Sequence, residues 1–171
     1  VPPGSGGFVV GYTLAGLMTT MLWVDRQSGA AGSPINLGGV PNGSPALGAS
    51  GLVVPEELKN FDGTYSLKVE RFDLSTGQKL SSAVLASLNP SWLGTADVPR
   101  MSLSTDGNRA YFVGGTQGNE VYACASDRDC SDAAQGGGLI YKRTLAAGPF
   151  TTTAPVGDAL AVLAPGGLQF L

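Results

Sequence analysis

Three aspartates, Asp127, Asp129 and Asp132, fall within six residues of one another around Cys130, the second of the chain's only two cysteines, Cys124 and Cys130. Oxygen-rich loops of this kind bind calcium, and the odd spacing of the first two carboxylates matches part of a calcium loop. Arg128 stands between them, however, and the glycine and closing glutamate of such a loop are not in place. The competing reading is a solvated loop tip. An even cysteine count without catalytic partners favours a disulfide between Cys124 and Cys130, and with it an oxidising compartment.

The 171 residues include no histidine, which excludes histidine-based acid/base catalysis, histidine triads and the commonest metal ligand. Asp25 and Asp73 resemble a catalytic carboxylate pair until their identical place in a repeated phrase is noticed, which makes them turn caps. Glu56-Glu57, beside Pro55 and Lys59, reads as a short exposed helical turn. No Gly-x-Ser-x-Gly elbow occurs, and Gly4-Ser5-Gly6-Gly7 lacks the lysine of a phosphate loop. Trp23, Trp92 and Tyr111 are large enough to stack on a sugar or fill a partner's pocket. Trp23 is expected between sheets, and Trp92, beside Pro90 on a loop, is the binding candidate. The balance leans away from an enzyme.

The elements that must carry these residues are strands. Trp23-Val24-Asp25-Arg26-Gln27-Ser28-Gly29 returns as Arg71-Phe72-Asp73-Leu74-Ser75-Thr76-Gly77, with Gly29 and Gly77 48 residues apart, a spacing typical of stacked or radial repeats. A worn third copy is read at 140–148, ending in Gly148. Before each turn lies a run rich in β-branched and aromatic residues (19–24, 65–72, 139–144), and after it a plainer one (34–37, 79–88, 150–153). A second hairpin joins 98–104 to 109–114 through Thr105-Asp106-Gly107-Asn108. Its counterparts join 45–49 to 52–54 and 157–164 to 168–171. Four strands per repeat follow. The prediction is one all-β domain over 1–171, a β-propeller segment of about three four-stranded antiparallel blades, with repeat turns near 29, 77 and 148 and loop insertions at 89–97 and 124–138. The inner strands would be 46–49, 101–104 and 160–163, none with an acid or amide.

Composition agrees. There are 26 glycines and 11 prolines, and charged residues make up only 13 %, as in a turn-rich β protein. A net charge of −3 with ten scattered basic residues offers no footprint for nucleic acid. The uncharged stretch 8–24 is a marginal membrane span, but its glycines and hydroxyl residues split it into two strands around Ala15-Gly16. The start at Val1, without Met or a charged leader, suggests a processed or excised piece.

The phrase Val98-Pro99-Arg100-Met101-Ser102-Leu103-Ser104-Thr105-Asp106-Gly107-Asn108-Arg109-Ala110-Tyr111-Phe112-Val113, preceded by Phe72-Asp73-Leu74-Ser75-Thr76-Gly77, resembles the blades of bacterial YVTN-type and quinoprotein-like β-propellers. The resemblance covers about 100 residues and speaks to fold more than to function. Three blades do not close a ring, so further chain, copies of itself or protein partners are expected to complete it. The expected function is a non-catalytic, extracytoplasmic binding or structural module of a bacterial cell-surface or secreted assembly, adhesin-like or pilus-associated, with a cell-surface or carbohydrate ligand as a further expectation. No cofactor is expected beyond calcium. The alternatives are a quinoprotein-like or lactonase-like propeller enzyme, and a membrane-anchored subunit using 8–24. Location is expected to be extracellular, cell-surface or periplasmic.

Overall fold

Runs of apolar residues no more than six long, interrupted by glycine, proline and polar residues, leave little room for anything but short strands. The computed structural model describes residues 7–14, 18–49, 51–88, 100–145, 152–156, 159–164 and 167–171, and contains no α-helix among them. The strands form four antiparallel sheets. Sheet 1 is β1 (Gly7–Leu14), β2 (Met18–Asp25) and β3 (Ile35–Leu37). Sheet 2 is β4 (Val40–Pro41), β5 (Ala46–Gly48), β6 (Gly51–Lys59), β7 (Tyr65–Phe72) and β8 (Lys79–Leu88). Sheet 3 is β9 (Ser102–Leu103), β10 (Arg109–Gly114), β11 (Glu120–Ala125) and β12 (Leu139–Thr144). Sheet 4 is β13 (Thr152–Val156), β14 (Ala159–Ala164) and β15 (Gly167–Phe170).

Each sheet is a meander, and none closes on itself. In sheet 2, β4 and β5 both pair with β6, at opposite ends, and act as one interrupted edge strand. The sheets pack face to face in chain order, because successive side chains of a strand point to opposite faces. Leu52 and Val54 of β6 join Phe72 and Leu74 against Met21, Ile35 and Leu37 of sheet 1. Val53 points the other way, and with Leu67, Val69 and Leu85 it meets Leu103, Ala110 and Phe112 of sheet 3. The alternation repeats one sheet on: Val113 and Val121 leave the opposite face of sheet 3 to pack on Leu160 and Val162 of sheet 4. Strands covered on both faces read as continuous apolar runs, which is why Leu52-Val53-Val54 and Phe112-Val113 show no alternation.

The two repeated turns are built alike. Asp25 Oδ1 accepts from the N–H groups of Gln27 and Ser28 and the Ser28 hydroxyl, at 3.1, 2.7 and 2.7 Å. Asp73 Oδ1 accepts from Ser75 N, Ser75 Oγ, Thr76 N and Thr76 Oγ1. Those bonds favour the charged carboxylate and hold Asp73 down to a pKa of about 2, the Ser75 hydroxyl contributing most. Gly29 and Gly77 then turn the chain at φ 69° and 70°, which β-carbons disfavour.

Several sequence expectations are corrected. Glu56-Glu57 is no exposed helical turn: both residues lie in β6, paired with β7, and Glu56 is fully buried. The segment 139–144 was expected to precede a repeat turn, yet β12 is the fourth strand of its sheet, and the connection homologous to the Asp25 and Asp73 turns is the cysteine loop after β11. That loop starts at Ser126, 53 residues beyond Asp73, so the repeat is more even than 48 followed by 71. Gly148 lies outside the described residues. Of the strand expected at 150–153, the described residues 152 and 153 belong to β13, the first strand of sheet 4, so 160–163, expected as an inner first strand, lies in its second. In place of three four-stranded units, the described residues form one five-stranded sheet, one of four strands and two of three. The described residues of 8–24 belong to β1 and β2, which pair antiparallel, and no helix among the described residues is long and apolar enough to cross a membrane.

Phe112 fills the seam between sheets 2 and 3 at 1 % exposure, whereas Phe61 sits fully exposed at a hairpin tip. Phe112→Ala is expected to cost about 3–5 kcal/mol of unfolding free energy, and Phe61→Ala less than about 0.5 kcal/mol, by urea denaturation.

Candidate functional site

The sheet stacking brings the first strands of three sheets side by side. β5, β9 and β13 border a groove of about 520 Å³, whose walls include Pro45, Leu47, Arg100, Ser102, Thr153 and Pro155. Asn42, buried, fixes one side: its N–H donates to Pro55 O, while its carbonyl and Oδ1 both accept from Met101 N, at 3.0 and 2.6 Å. Gly43 follows at φ 142°, and a β-carbon there would collide with Met101 O, so only glycine lets these two segments meet. On the other side Ser102 and Thr153 share a hydroxyl hydrogen bond of 2.8 Å. Thr153 donates to Tyr111 O at 3.1 Å, so its oxygen receives the Ser102 proton. Arg100 is exposed, is the only charged residue among the described residues lining the groove, and its side chain makes no hydrogen bond or ion pair with another described residue.

The cysteine loop is a second polar assembly. Cys124 and Cys130 are joined by a disulfide, with Cα atoms 5.5 Å apart. Cys130 N donates to Leu85 O, tying the loop to β8. At its base Arg71 reaches across from sheet 2, with Nη1 on Ser126 O at 3.1 Å and Nη2 on Ser126 Oγ at 2.6 Å and Gly107 O at 3.3 Å. The three aspartates point to separate tasks. Asp127 takes a two-pronged bond from Arg128, at 2.9 Å twice, which holds its carboxyl below the usual range. Asp129 accepts from Ser131 Oγ, and Asp132 caps one turn of 3-10 helix, Ala133–Gln135, by accepting from Ala134 N. Among the described residues no three His, Cys, Asp or Glu side chains converge as a metal site. Trp92 and the insertion 89–97 lie outside the described residues, as does the side chain of Trp23.

Sheets 1 and 2 enclose a third cluster, which sequence reading missed. Lys68 Nζ lies 2.9 Å from Glu70 Oε1 and 3.5 Å from Glu56 Oε2, and Lys79 and Ser82 also reach Glu70 Oε1. Both oxygens of Glu56 and Oε2 of Glu70 are buried without a hydrogen-bond partner. Burial, then the charge of Glu70, pushes the Glu56 carboxyl up to about 7. A proton held on Glu56 removes one of the two buried negative charges and leaves Lys68 and the half-exposed Lys79 facing Glu70. At 0 and 1 % exposure neither carboxylate is reachable by a substrate, so the pair is structural electrostatics and not an acid/base site. Nothing in the local sequence signals it, because the partner lysine comes from another strand.

No protein-family model matches the chain, and a search of curated proteins finds no similar one.

Two expected outcomes follow. Because the pKa of Glu56 is raised on folding from 4.5 to about 7, the folded state binds the extra proton between those values, and stability falls as pH rises through that window. Melting temperature is expected to be higher at pH 5.5 than at pH 8, and Glu56→Gln to flatten that difference and raise the pH 8 value. Alkylation of the unfolded, unreduced chain is expected to add no mass, and two adducts only after reduction.

Proposed function

We propose that the chain is a β-propeller segment acting as a non-catalytic, extracytoplasmic binding or structural module, in a bacterial cell-surface or secreted assembly. The observation that carries this reading is the outer face of sheet 4. Leu163 pairs with Leu168 and Ala161 with Phe170, all on the face opposite Leu160 and Val162. Val156, Leu163, Leu168 and Phe170 are 53, 46, 57 and 61 % exposed there. Sheets 1, 2 and 3 each bury such a face on the sheet that follows, so a further sheet of the same kind is the natural cover. More of the polypeptide, another copy or a protein partner can provide it, and addition of sheets around an axis leads to a ring of blades.

The meander order and the repeated aspartate turns support the blade reading, and the disulfide is compatible with an extracellular or periplasmic location. Recognition of partners would fall to the long connections at 89–97 and 124–138, since loops on a rigid scaffold tolerate change and carry contacts.

The double variant Leu163→Asp/Phe170→Asp tests the face. The unchanged chain is expected to self-associate with rising concentration in sedimentation, or to bind a hydrophobic dye, and the variant to do neither while keeping its β-type circular dichroism. Identical behaviour of the two proteins would refute the reading.

A further inference from the structure

We infer that the groove between β5, β9 and β13 binds a carboxylate carrying a neighbouring hydroxyl, the chemistry shared by uronic acid sugars and free hydroxy acids. This names a ligand class for the binding module proposed above. Sheet 4 variants report on assembly and groove variants on the ligand, so the two ideas fail separately.

Arg100 specifies the carboxylate. Its side chain is exposed, has no ion pair or hydrogen bond with another described residue, and is alone in charge among the described residues along the groove. A guanidinium offers a planar fork of N–H donors that matches a carboxylate with two parallel bonds. The hydroxyl is specified by direction. Thr153 gives its proton to Tyr111 O and therefore receives the proton of Ser102. Ser102 Oγ, half-buried in the groove wall, is left with lone pairs only, and a ligand meeting it must bring a donor. A plain carboxylate brings none; a hydroxyl beside the carboxylate does.

Size and edges exclude an extended peptide. The groove volume of about 520 Å³ falls in the usual range for small-molecule sites. Its bordering strands present free edges, which invite a further strand, but Pro45 and Pro155 remove donors from them. A compact polar molecule suits such walls better than a backbone in need of a ladder.

Calorimetric titration of the purified chain with galacturonate, galactose, glycolate and acetate tests the assignment. Galacturonate is expected to bind saturably and galactose at least about tenfold more weakly, a difference of about 1.4 kcal/mol. Glycolate should outbind acetate. Galacturonate tighter than glycolate points to a sugar acid, and equal or reversed affinities to a free hydroxy acid. Arg100→Gln should weaken both acids about tenfold or more with an unchanged melting temperature, and Ser102→Ala should erase the preference for glycolate over acetate. The inference is overturned if none of the anions binds at millimolar concentration, if galactose matches galacturonate, if acetate matches glycolate, or if Arg100→Gln binds as the unchanged chain does. Should either variant fail to fold, the ranking of the four ligands on the unchanged chain decides.

Discussion

Every inner sheet of this protein must be apolar on both faces, and the rest of the structure follows from that demand. A two-sided sheet cannot afford alternation, so β6 and β10 carry continuous runs, Leu52-Val53-Val54 and Phe112-Val113, whose neighbours in sequence belong to different seams. Polarity is driven to the strand ends. The aspartate turns and their glycines sit there, at 25–29 and 73–77. The same demand leaves a residue at the end of the series: sheet 4 has a covered face and an apolar uncovered one.

Where polar groups do enter the seams, each is held by a partner from the neighbouring segment, and those bonds fix how one sheet sits on the next. Arg71 stitches sheet 2 to the base of the cysteine loop through Ser126 and Gly107. Asn42 stitches the interrupted edge of sheet 2 to the approach of β9. Apolar contact is nondirectional and tolerates sliding; a buried amide or guanidinium with fixed acceptors does not. The Glu56, Lys68 and Glu70 cluster is the exception, because Lys68 is the one buried cation beside two buried carboxylates, Lys79 reaching Glu70 from a half-exposed position. That imbalance makes the contact between sheets 1 and 2 sensitive to proton concentration where the others are not.

Local chemistry was legible and long-range chemistry was not. The strands 65–72, 79–88, 109–114 and 139–144 match their expected limits, since β-branched and aromatic runs between turn residues leave few alternatives. The Asp25 and Asp73 turns were legible because side chain, acceptor and glycine all lie within five residues. Glu56-Glu57 misled because two acids after a proline look solvated, whereas Glu56 is buried against Lys68 of the neighbouring strand. The third repeat misled for a different reason. Insertion of the disulfide loop displaced the turn from its motif, and Gly148 stood close enough to be mistaken for it. The groove had no local signature at all, since its walls come from positions near 45, 102 and 153.

The shortness of the first strands ties architecture to recognition. β9 has two residues, and the edge of sheet 2 is broken between β4 and β5 at a stretch containing Asn42, Gly43 and Pro45. Long first strands would pack flush and close the space between successive sheets, whereas interrupted ones leave backbone and hydroxyl groups facing a gap. Proline at these edges suppresses pairing with foreign strands, so the gap persists as a groove without becoming a site of aggregation. An exposed guanidinium at such a place keeps its water and costs the fold little, and its N–H donors stay available to a ligand. Arg100, whose side chain pairs with no other described residue, thus presents a free fork of donors to whatever enters between the three edge strands.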